Sequence, residues 1–271
     1  MGGLLPVEVC LELFGEKSVV LPFFTGYVSR GLLLHVLRVV DPSLSSSLHK
    51  SDVPKPYSVT PIKFRAKEKR ETGYIVDSSF PCEVCFRFLR ESLAQHFLKY
   101  FYKSSSVMIY DTVFHVSSLR VHSEDYKGLW ESIEEPVDAF RLVFRTPTYL
   151  AVLGSDHHYL FPDHMRIFPN LLRLWNMFSD YKKFSKEEFL EYRSWLLRNM
   201  GVSQHRLSTR IAYMGDKKAV GFVGWASYEM KKRDEWNRLT CVLAKYAEYS
   251  NVGGNRTGGF GVTKNTEIKS K

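Results

Sequence analysis

The order of apolar patterns along the chain constrains the fold most, because the same order occurs twice. In the first half, strand-like and helical periodicities follow one another as β-α-β-β-α-β, at residues 4–13, 25–40, 57–67, 73–79, 83–101 and 107–121. After an irregular acidic stretch at 123–136, the alternation of Phe140, Leu142 and Phe144 starts a second series.

The second series adds one helix to this order. Helices are predicted near 170–180, at 186–199 with Ser185 and Glu188 as a capping box, and at 235–249. A hairpin at 207–214 and 217–230 and a short strand at 259–264 complete it. Two such units in tandem predict an α+β fold of tandem ferredoxin-like domains, antiparallel sheets with helices on one face. We expect the domains to span residues 1–125 and 126–271, the second with a glycine-rich loop.

The net charge of +9 favours a polyanionic partner, because excess cations attract polyanions and release their condensed counterions. Nucleic acid is therefore the leading partner class. A composition that is 44% hydrophobic and 25% charged is that of a folded protein.

The cysteines give little support to a structural metal. Cys82 and Cys85 form one C-x-x-C pair, but a structural zinc needs four ligands and the chain offers no second pair. We expect no metal or cofactor, and buried or reduced cysteines. The first residues show neither a basic leader nor a sustained apolar run before Glu8, so we expect no membrane insertion and a cytoplasmic protein.

A glycine-rich loop at 251–261 is the first candidate site, with five glycines and one arginine in eleven residues. Glycines let backbone N–H groups approach an anion, and Arg256 adds a planar cation. The loop matches neither a phosphate-binding loop of NTPases nor a dinucleotide fingerprint, and a flexible turn remains the alternative. The predicted RNA-binding residues here are Gly253, Gly254, Asn255, Arg256, Gly258 and Gly259.

A second candidate is the segment from Leu48 to Tyr57, predicted as a loop between the first helix and the following hairpin, with a Ser-rich stretch from Ser43 to Asp52. A histidine can move a proton from a ribose 2′-hydroxyl or to a leaving 5′-oxygen. Lys55, between Pro54 and Pro56, could stabilise charge on the phosphate. A solvated surface histidine is the competing interpretation.

Two cationic groups are further candidates for RNA contact. Lys63 and Arg65 alternate along a predicted strand, and Lys231 and Lys232 precede the last helix. Both could instead be solvated charge at an edge. The residues Asp156, His157, His158, Asp163 and His164 fall in a loop with irregular spacing, which favours an ordinary polar loop over a metal site.

Several motifs together carry a family resemblance. They are Val220 to Gly224, Leu243 to Tyr249, Gly259-Phe260-Gly261, Phe144 with Thr146-Pro147-Thr148, Phe161-Pro162, Trp175-Asn176, Gly31-Leu32-Leu33, Leu48-His49 and Pro54-Lys55. With these motifs the chain resembles the CRISPR-associated repeat-processing endoribonucleases of the repeat-associated RNA-binding superfamily, in their archaeal branch.

The resemblance implies a metal-independent endoribonuclease that cuts CRISPR precursor transcripts within repeats, by 2′-hydroxyl attack that leaves a 5′-hydroxyl and a 2′,3′-cyclic phosphate. It places His49 as general acid or base and Lys55 as phosphate stabiliser. The family's helix tyrosine aligns with Leu34, and the adjacent His35 is a third catalytic candidate.

The implied partner is CRISPR repeat RNA, single-stranded or hairpin. A homodimer and association with an interference complex stay open, as do two other functions. These are a non-catalytic RNA-binding subunit of such a complex and a metal-dependent phosphate-ester hydrolase using Asp156, His157 and His164.

Overall fold

The computed structural model describes residues 6–49, 53–152, 154–155, 157–214 and 217–267. The helices are α1 Gly26–Val40, α2 Pro42–His49, α3 Glu91–Phe101, α4 Tyr126–Glu131, α5 His164–Phe178, α6 Lys186–Asn199 and α7 Glu235–Ser250. The strands are β1 Val7–Gly15, β2 Val20–Pro22, β3 Tyr57–Val59, β4 Ala66–Arg70, β5 Gly73–Val76, β6 Cys82–Phe88, β7 Ser106–Ile109, β8 Thr112–Ser123, β9 Ala139–Thr148, β10 Leu150–Ala151, β11 His158–Tyr159, β12 Met200–Met214, β13 Lys217–Met230 and β14 Thr263–Glu267.

The first sheet has the order β3-β6-β1-β8-β7, and its neighbours pair antiparallel. Val9, Leu11 and Leu13 of the central strand β1 are fully buried, because alternate side chains of a strand face the same side. They belong to one core with residues of α1 and α3. The unburied residues between them leave the other face of the sheet open.

The second sheet has the order β12-β13-β9-β14. Phe140, Leu142 and Phe144 of β9 are buried, as their alternation predicts, and Phe140 packs edge-on against Phe168 of α5. In both sheets the first strand of the unit lies between the third and the fourth. That order is the ferredoxin-like one, so the predicted tandem fold is confirmed.

Three segments differ from the sequence prediction. Residues 82–88 form strand β6 and not the start of a helix, since they pair with β1 and β3 along their length. The Ser-rich segment forms helix α2, in which the hydroxyls of Ser46 and Ser47 donate hydrogen bonds to backbone carbonyls of the preceding turn. The predicted strand at 57–67 is divided, because β3 joins the first sheet whereas β4 pairs with β5 in a small separate sheet.

The cysteines also differ from expectation. Cys10 and Cys85 lie opposite each other on β1 and β6 and form a disulfide, while Cys82 and Cys241 are buried and belong to no disulfide. The sequence separation of 75 residues hides this pair from any local pattern. Within the described residues, the helices are all too short or too polar to cross a bilayer.

Candidate RNA-binding and catalytic surface

The glycine-rich loop, residues 251–261, connects α7 to β14. Five of its residues have positive φ: Asn251, Gly253, Asn255, Gly259 and Gly261. Glycine and asparagine reach this region at least cost, because a Cβ crowds the backbone there. The glycine and asparagine content of the loop therefore follows in part from its backbone conformation, whatever the loop binds.

Asn251 holds the loop against the first half of the protein. Its side chain is fully buried, and its amide nitrogen lies 3.1 Å from the carbonyl of Val59, 3.2 Å from that of Arg256 and 3.1 Å from that of Phe260. Its amide oxygen accepts a hydrogen bond of 2.9 Å from Arg87. Val59 and Arg87 belong to the first sheet, so one side chain joins the two halves.

Several backbone N–H groups of the loop are already used within the protein. Those of Gly254, Gly258 and Gly259 donate to the carbonyls of Tyr149, Asn255 and Arg256 respectively. The sequence interpretation had these N–H groups approaching an anion. Phosphate binding by Gly253, Gly254, Gly258 and Gly259 thus stays a prediction, beside a packing role that the structure shows.

That packing role is the docking of α1 on the loop. A Cβ added at Gly26, in the first turn of α1, would lie 2.0 Å from the carbonyl oxygen of Gly258. A Cβ at Gly259 would lie 2.8 Å from the Cα of Gly26. Neither site has room for a side chain, so glycines here let helix and loop meet backbone to backbone.

Arg256 connects the loop to the Lys55 segment. It is only 8% exposed, and its guanidinium donates to the carbonyls of Ser250 at 2.7 Å and Lys55 at 3.3 Å. Burial lowers its pKa from the ordinary value, because the charged form loses water. The carbonyls offset part of that loss. Arg256 therefore positions Lys55, and its predicted contact with RNA stays a prediction.

Tyr27 and Arg30 of the first helix lie close to the loop. The Asn255 amide donates to the hydroxyl of Tyr27 on α1. Arg30, also on α1, and Thr257 lie near the buried hydroxyl of Tyr57. Burial raises the pKa of Tyr57, and the positive charge of Arg30 partly offsets this. The first helix thus contacts the loop through Tyr27, and through Arg30 it lies beside Tyr57, which Thr257 of the loop also approaches.

The predicted catalytic segment is described only in part. His49 is the last residue of α2, but its side chain and residues 50–52 lie outside the described residues. Helix α2 runs back along α1, and the Ser45 hydroxyl donates to the carbonyl of Leu34. Lys55 is half-buried, and the next residue, Pro56, accepts a hydrogen bond from Leu89. The Lys55 end is therefore fixed next to the glycine-rich loop.

His35 lines a different region, which we name the aromatic groove. It is a cavity of about 1670 Å³ between α1, the β4–β5 hairpin, the β7–β8 turn and the tip of the β12–β13 hairpin. Tyr27, Gly31 and His35 face it together, because residues four apart share one face of a helix. Lys55 and Arg256 do not line this groove. His35 therefore lines a cavity to which the Lys55 segment does not contribute.

Lys63 lines a second cavity, the sheet cleft, which lies between the open face of the first sheet and the β9–β14 edge of the second sheet with the end of α7. Its ammonium bonds Glu83 at 2.9 Å, and Arg120 bonds the same carboxyl group at 2.9 Å. Arg65 instead stacks over the ring of Phe80. Because β4 begins only at Ala66, Lys63 and Arg65 do not form the strand stripe that their alternation predicts. Their contact with RNA stays a prediction.

Lys231 and Lys232 are exposed and precede α7, whereas the glycine-rich loop follows it. A helix rises 1.5 Å per residue, so α7 separates them from the loop by roughly 24 Å. The structure does not bring these lysines to the other candidates, and their contact with RNA also stays a prediction.

The histidine-rich loop gives little support to the alternative of a metal-dependent hydrolase. His158 stacks on Tyr149 with ring centroids 4.0 Å apart, and Asp156 lies outside the described residues. Among the described residues, the cluster with metal-ligand spacing is Glu8, Cys10 and Cys85, and its two cysteines form the disulfide.

Sequence reasoning missed Tyr27, Arg30, Tyr110 and Tyr213 as candidate residues. A signal existed for Tyr27, since it precedes His35 by eight residues and so shares its helical face. The two other tyrosines lie in separate hairpins: packing within the first half brings Tyr110 to the groove, and packing of the two halves brings Tyr213 there.

Comparison with known proteins confirms the predicted resemblance. Residues 142–263 match the family model of the CRISPR-associated endoribonuclease Cas6. No curated protein matches the chain.

Solved Cas6 structures share the fold over nearly the whole chain. A Cas6 product complex is 22% identical with a TM-score of 0.80 and covers 96% of this chain and 99% of that one. Thermus thermophilus Cas6 is 23% identical with a TM-score of 0.70, over 98% and 99% of the two chains. A Cas6-related protein from Pyrococcus furiosus is 15% identical with a TM-score of 0.63, over 97% and 100%.

Proposed function

We propose that the chain is a metal-independent endoribonuclease that cleaves CRISPR precursor transcripts within their repeats and so produces guide RNAs. The 2′-hydroxyl would attack the adjacent phosphate, giving a 2′,3′-cyclic phosphate on one product and a 5′-hydroxyl on the other. The family match of the second half and the fold shared with Cas6 product complexes support this class of substrate.

The observation that carries the proposal is the connection of three candidate segments into one surface. Arg256 bonds the carbonyl of Lys55, and Asn255 bonds Tyr27 of α1. The glycine-rich loop, the Lys55 segment and the first helix therefore lie side by side, although they are far apart in sequence. A scissile phosphate at this junction would lie near Arg30, which is beside Tyr57, and near the Lys55 segment, whose backbone carbonyl bonds Arg256.

The chemical roles follow from what RNA cleavage requires. RNA brings its own nucleophile, so the protein has to move protons and stabilise charge on the phosphate. We assign proton transfer to His49 and charge stabilisation to Lys55. His35 is the alternative proton-transfer group, in which case the scissile phosphate would lie in the aromatic groove and not beside Lys55.

Cleavage of labelled repeat RNA in EDTA, with identification of the product ends, tests the proposal. We expect cutting in EDTA, a 5′-hydroxyl and a cyclic phosphate, and a loss of roughly 10²–10⁴-fold in rate for His49→Ala. Comparison of His35→Ala with His49→Ala locates the site. Substitution of the histidine that transfers the proton should slow cleavage more. His115→Ala is the matched control, since His115 is exposed and lines neither cavity.

Two outcomes would contradict the proposal. If the wild-type chain binds repeat RNA and leaves it intact, the chain is a non-catalytic RNA-binding subunit. If EDTA abolishes cutting, a metal-dependent phosphate-ester hydrolase replaces it.

A further inference from the structure

The aromatic groove exposes three tyrosines that come from three elements of both halves. Tyr27 of α1 is 37% exposed, Tyr110 in the β7–β8 turn 60%, and Tyr213 of β12 49%. Large exposed apolar groups that lie together in one cavity indicate a binding surface, whereas single scattered ones do not. The roles proposed above use none of these rings for catalysis.

Tyr110 gives independent support, because its backbone is in an unfavourable region. Its φ is 54° in the tight turn between β7 and β8, where glycine or asparagine would be the usual choice. A bulky residue held at positive φ costs free energy, and such positions concentrate at ligand sites. The turn presents an aromatic ring to the groove despite that cost.

Phe23 differs from the tyrosines because its ring is already engaged. It packs edge-on against Tyr74 with centroids 5.2 Å apart, and the ammonium of Lys69 lies 5.7 Å from its ring. Phe23 thus forms part of the groove wall. The three tyrosine rings remain to receive a planar ligand.

The charge of the groove selects an anionic ligand. Among the described residues that line it, Lys69 and Arg70 of the β4–β5 hairpin and Lys217 of β13 are cationic and Glu71 is acidic. Arg70 is paired with Glu68 at 3.0 Å, so Lys69 and Lys217 are the cations that remain for a ligand. Aromatic faces with cations beside them bind single-stranded nucleic acid, since each base stacks on a ring while its phosphate meets a cation. A duplex hides the faces of its bases, and its phosphates alone would not use the tyrosines.

We propose that the aromatic groove holds an unpaired RNA strand, with bases stacked on Tyr27, Tyr110 and Tyr213 and phosphates beside Lys69 and Lys217. This inference rests on the proposed function and narrows its substrate to RNA that is single-stranded next to the cleaved bond. A repeat that folds into a hairpin would then present a flanking strand, and not its stem, to the groove.

Binding measurements in EDTA test this separately from cleavage. The probe is repeat RNA with a 2′-deoxyribose at the scissile position, presented unpaired or annealed to its complement. A 2-aminopurine placed in turn along the strand reports stacking through quenching. For wild-type protein we expect at least tenfold tighter binding of the unpaired probe and quenching at two or more positions.

Substitution of Tyr213 provides the sharpest comparison. Tyr213→Ala should weaken binding of the unpaired probe about tenfold, as loss of one stacked base does, and leave binding of the annealed probe unchanged. Tyr213→Phe should keep both affinities, because the ring and not the hydroxyl stacks. Tyr102→Ala is the matched control, since Tyr102 is 84% exposed and lies outside the groove. Thermal melting confirms that each variant is folded.

The outcomes separate this inference from the proposed function. If Tyr213→Ala and Tyr110→Ala leave binding of the unpaired probe unchanged while wild-type protein cuts repeat RNA, the groove inference is overturned and a protein segment becomes the candidate occupant. Equal weakening of both probes also overturns it. If the wild-type chain binds neither probe, the proposed function fails as well.

Discussion

The glycine-rich loop and the aromatic groove lie next to each other and meet at Tyr27, but they use their side chains in opposite ways. The loop turns Asn251 and Arg256 inward, where both bond backbone carbonyls of the first half. The groove turns Tyr110 and Tyr213 outward, where they are 60% and 49% exposed. The difference teaches that glycine content alone does not identify a ligand site. Here the glycines belong to a loop that packs the two halves together. This packing helps to form the aromatic groove, which is open to a ligand.

Asn251 and Asn255 offer the largest test of this comparison, because both have φ near +50° in the same loop. Asn251→Ala leaves the carbonyls of Val59 and Phe260 without their donor. We expect it to lower the free energy of unfolding by about 3–5 kcal/mol, and Asn255→Ala by only about 1 kcal/mol. Chemical denaturation of both variants measures the difference. Equal losses would contradict the inward role of Asn251.

The two glycines of α1 provide the next test. Gly26→Ala places a Cβ against Gly258, so we expect a loss of about 2–3 kcal/mol in unfolding free energy. Gly31→Ala meets nothing within 4 Å and should instead stabilise the helix, by up to about 1 kcal/mol. Thermal melting of the pair checks the sign. A stabilising Gly26→Ala would show that helix and loop do not pack as closely as described.

Tyr27→Phe should have the smallest effect, because it removes only the hydroxyl that meets Asn255 at the border of the two regions. An exposed hydrogen bond of this kind contributes at most about 1 kcal/mol to the free energy of unfolding. Since the ring remains, binding of unpaired RNA should not change. Denaturation together with RNA titration measures both quantities, and a large loss of affinity would mean that the hydroxyl itself contacts RNA.

Much of the fold follows from local sequence. The capping box of Ser185 and Glu188 forms, and α6 spans the residues that it predicts. The alternation of Phe140, Leu142 and Phe144 gives a strand with one buried face. Such signals succeed because the hydrogen bonds or the periodicity that define them lie within a few residues.

The misassigned segment at 82–88 shows where local patterns fail. Phe86, Leu89 and Phe97 fit a helical stripe, but Val84, Phe86 and Phe88 equally fit a strand, and each reading buries apolar residues. Pairing with β1 and β3 decides between them, since only a strand satisfies the backbone groups of both neighbours. Position in the sheet, which no short window contains, sets the conformation.

The sequence by itself determined the class of fold, the order of both units and the resemblance in the second half, because each is encoded in short motifs and in periodicity. Only the tertiary structure decided what the glycine-rich loop holds, which cysteines pair and which tyrosines share a groove. Arg256 and Lys55 are 201 residues apart, and Asn255 and Tyr27 are 228 apart. Contacts over such separations depend on how two folded halves pack, and that packing results from the summed burial of many side chains and not from any one motif.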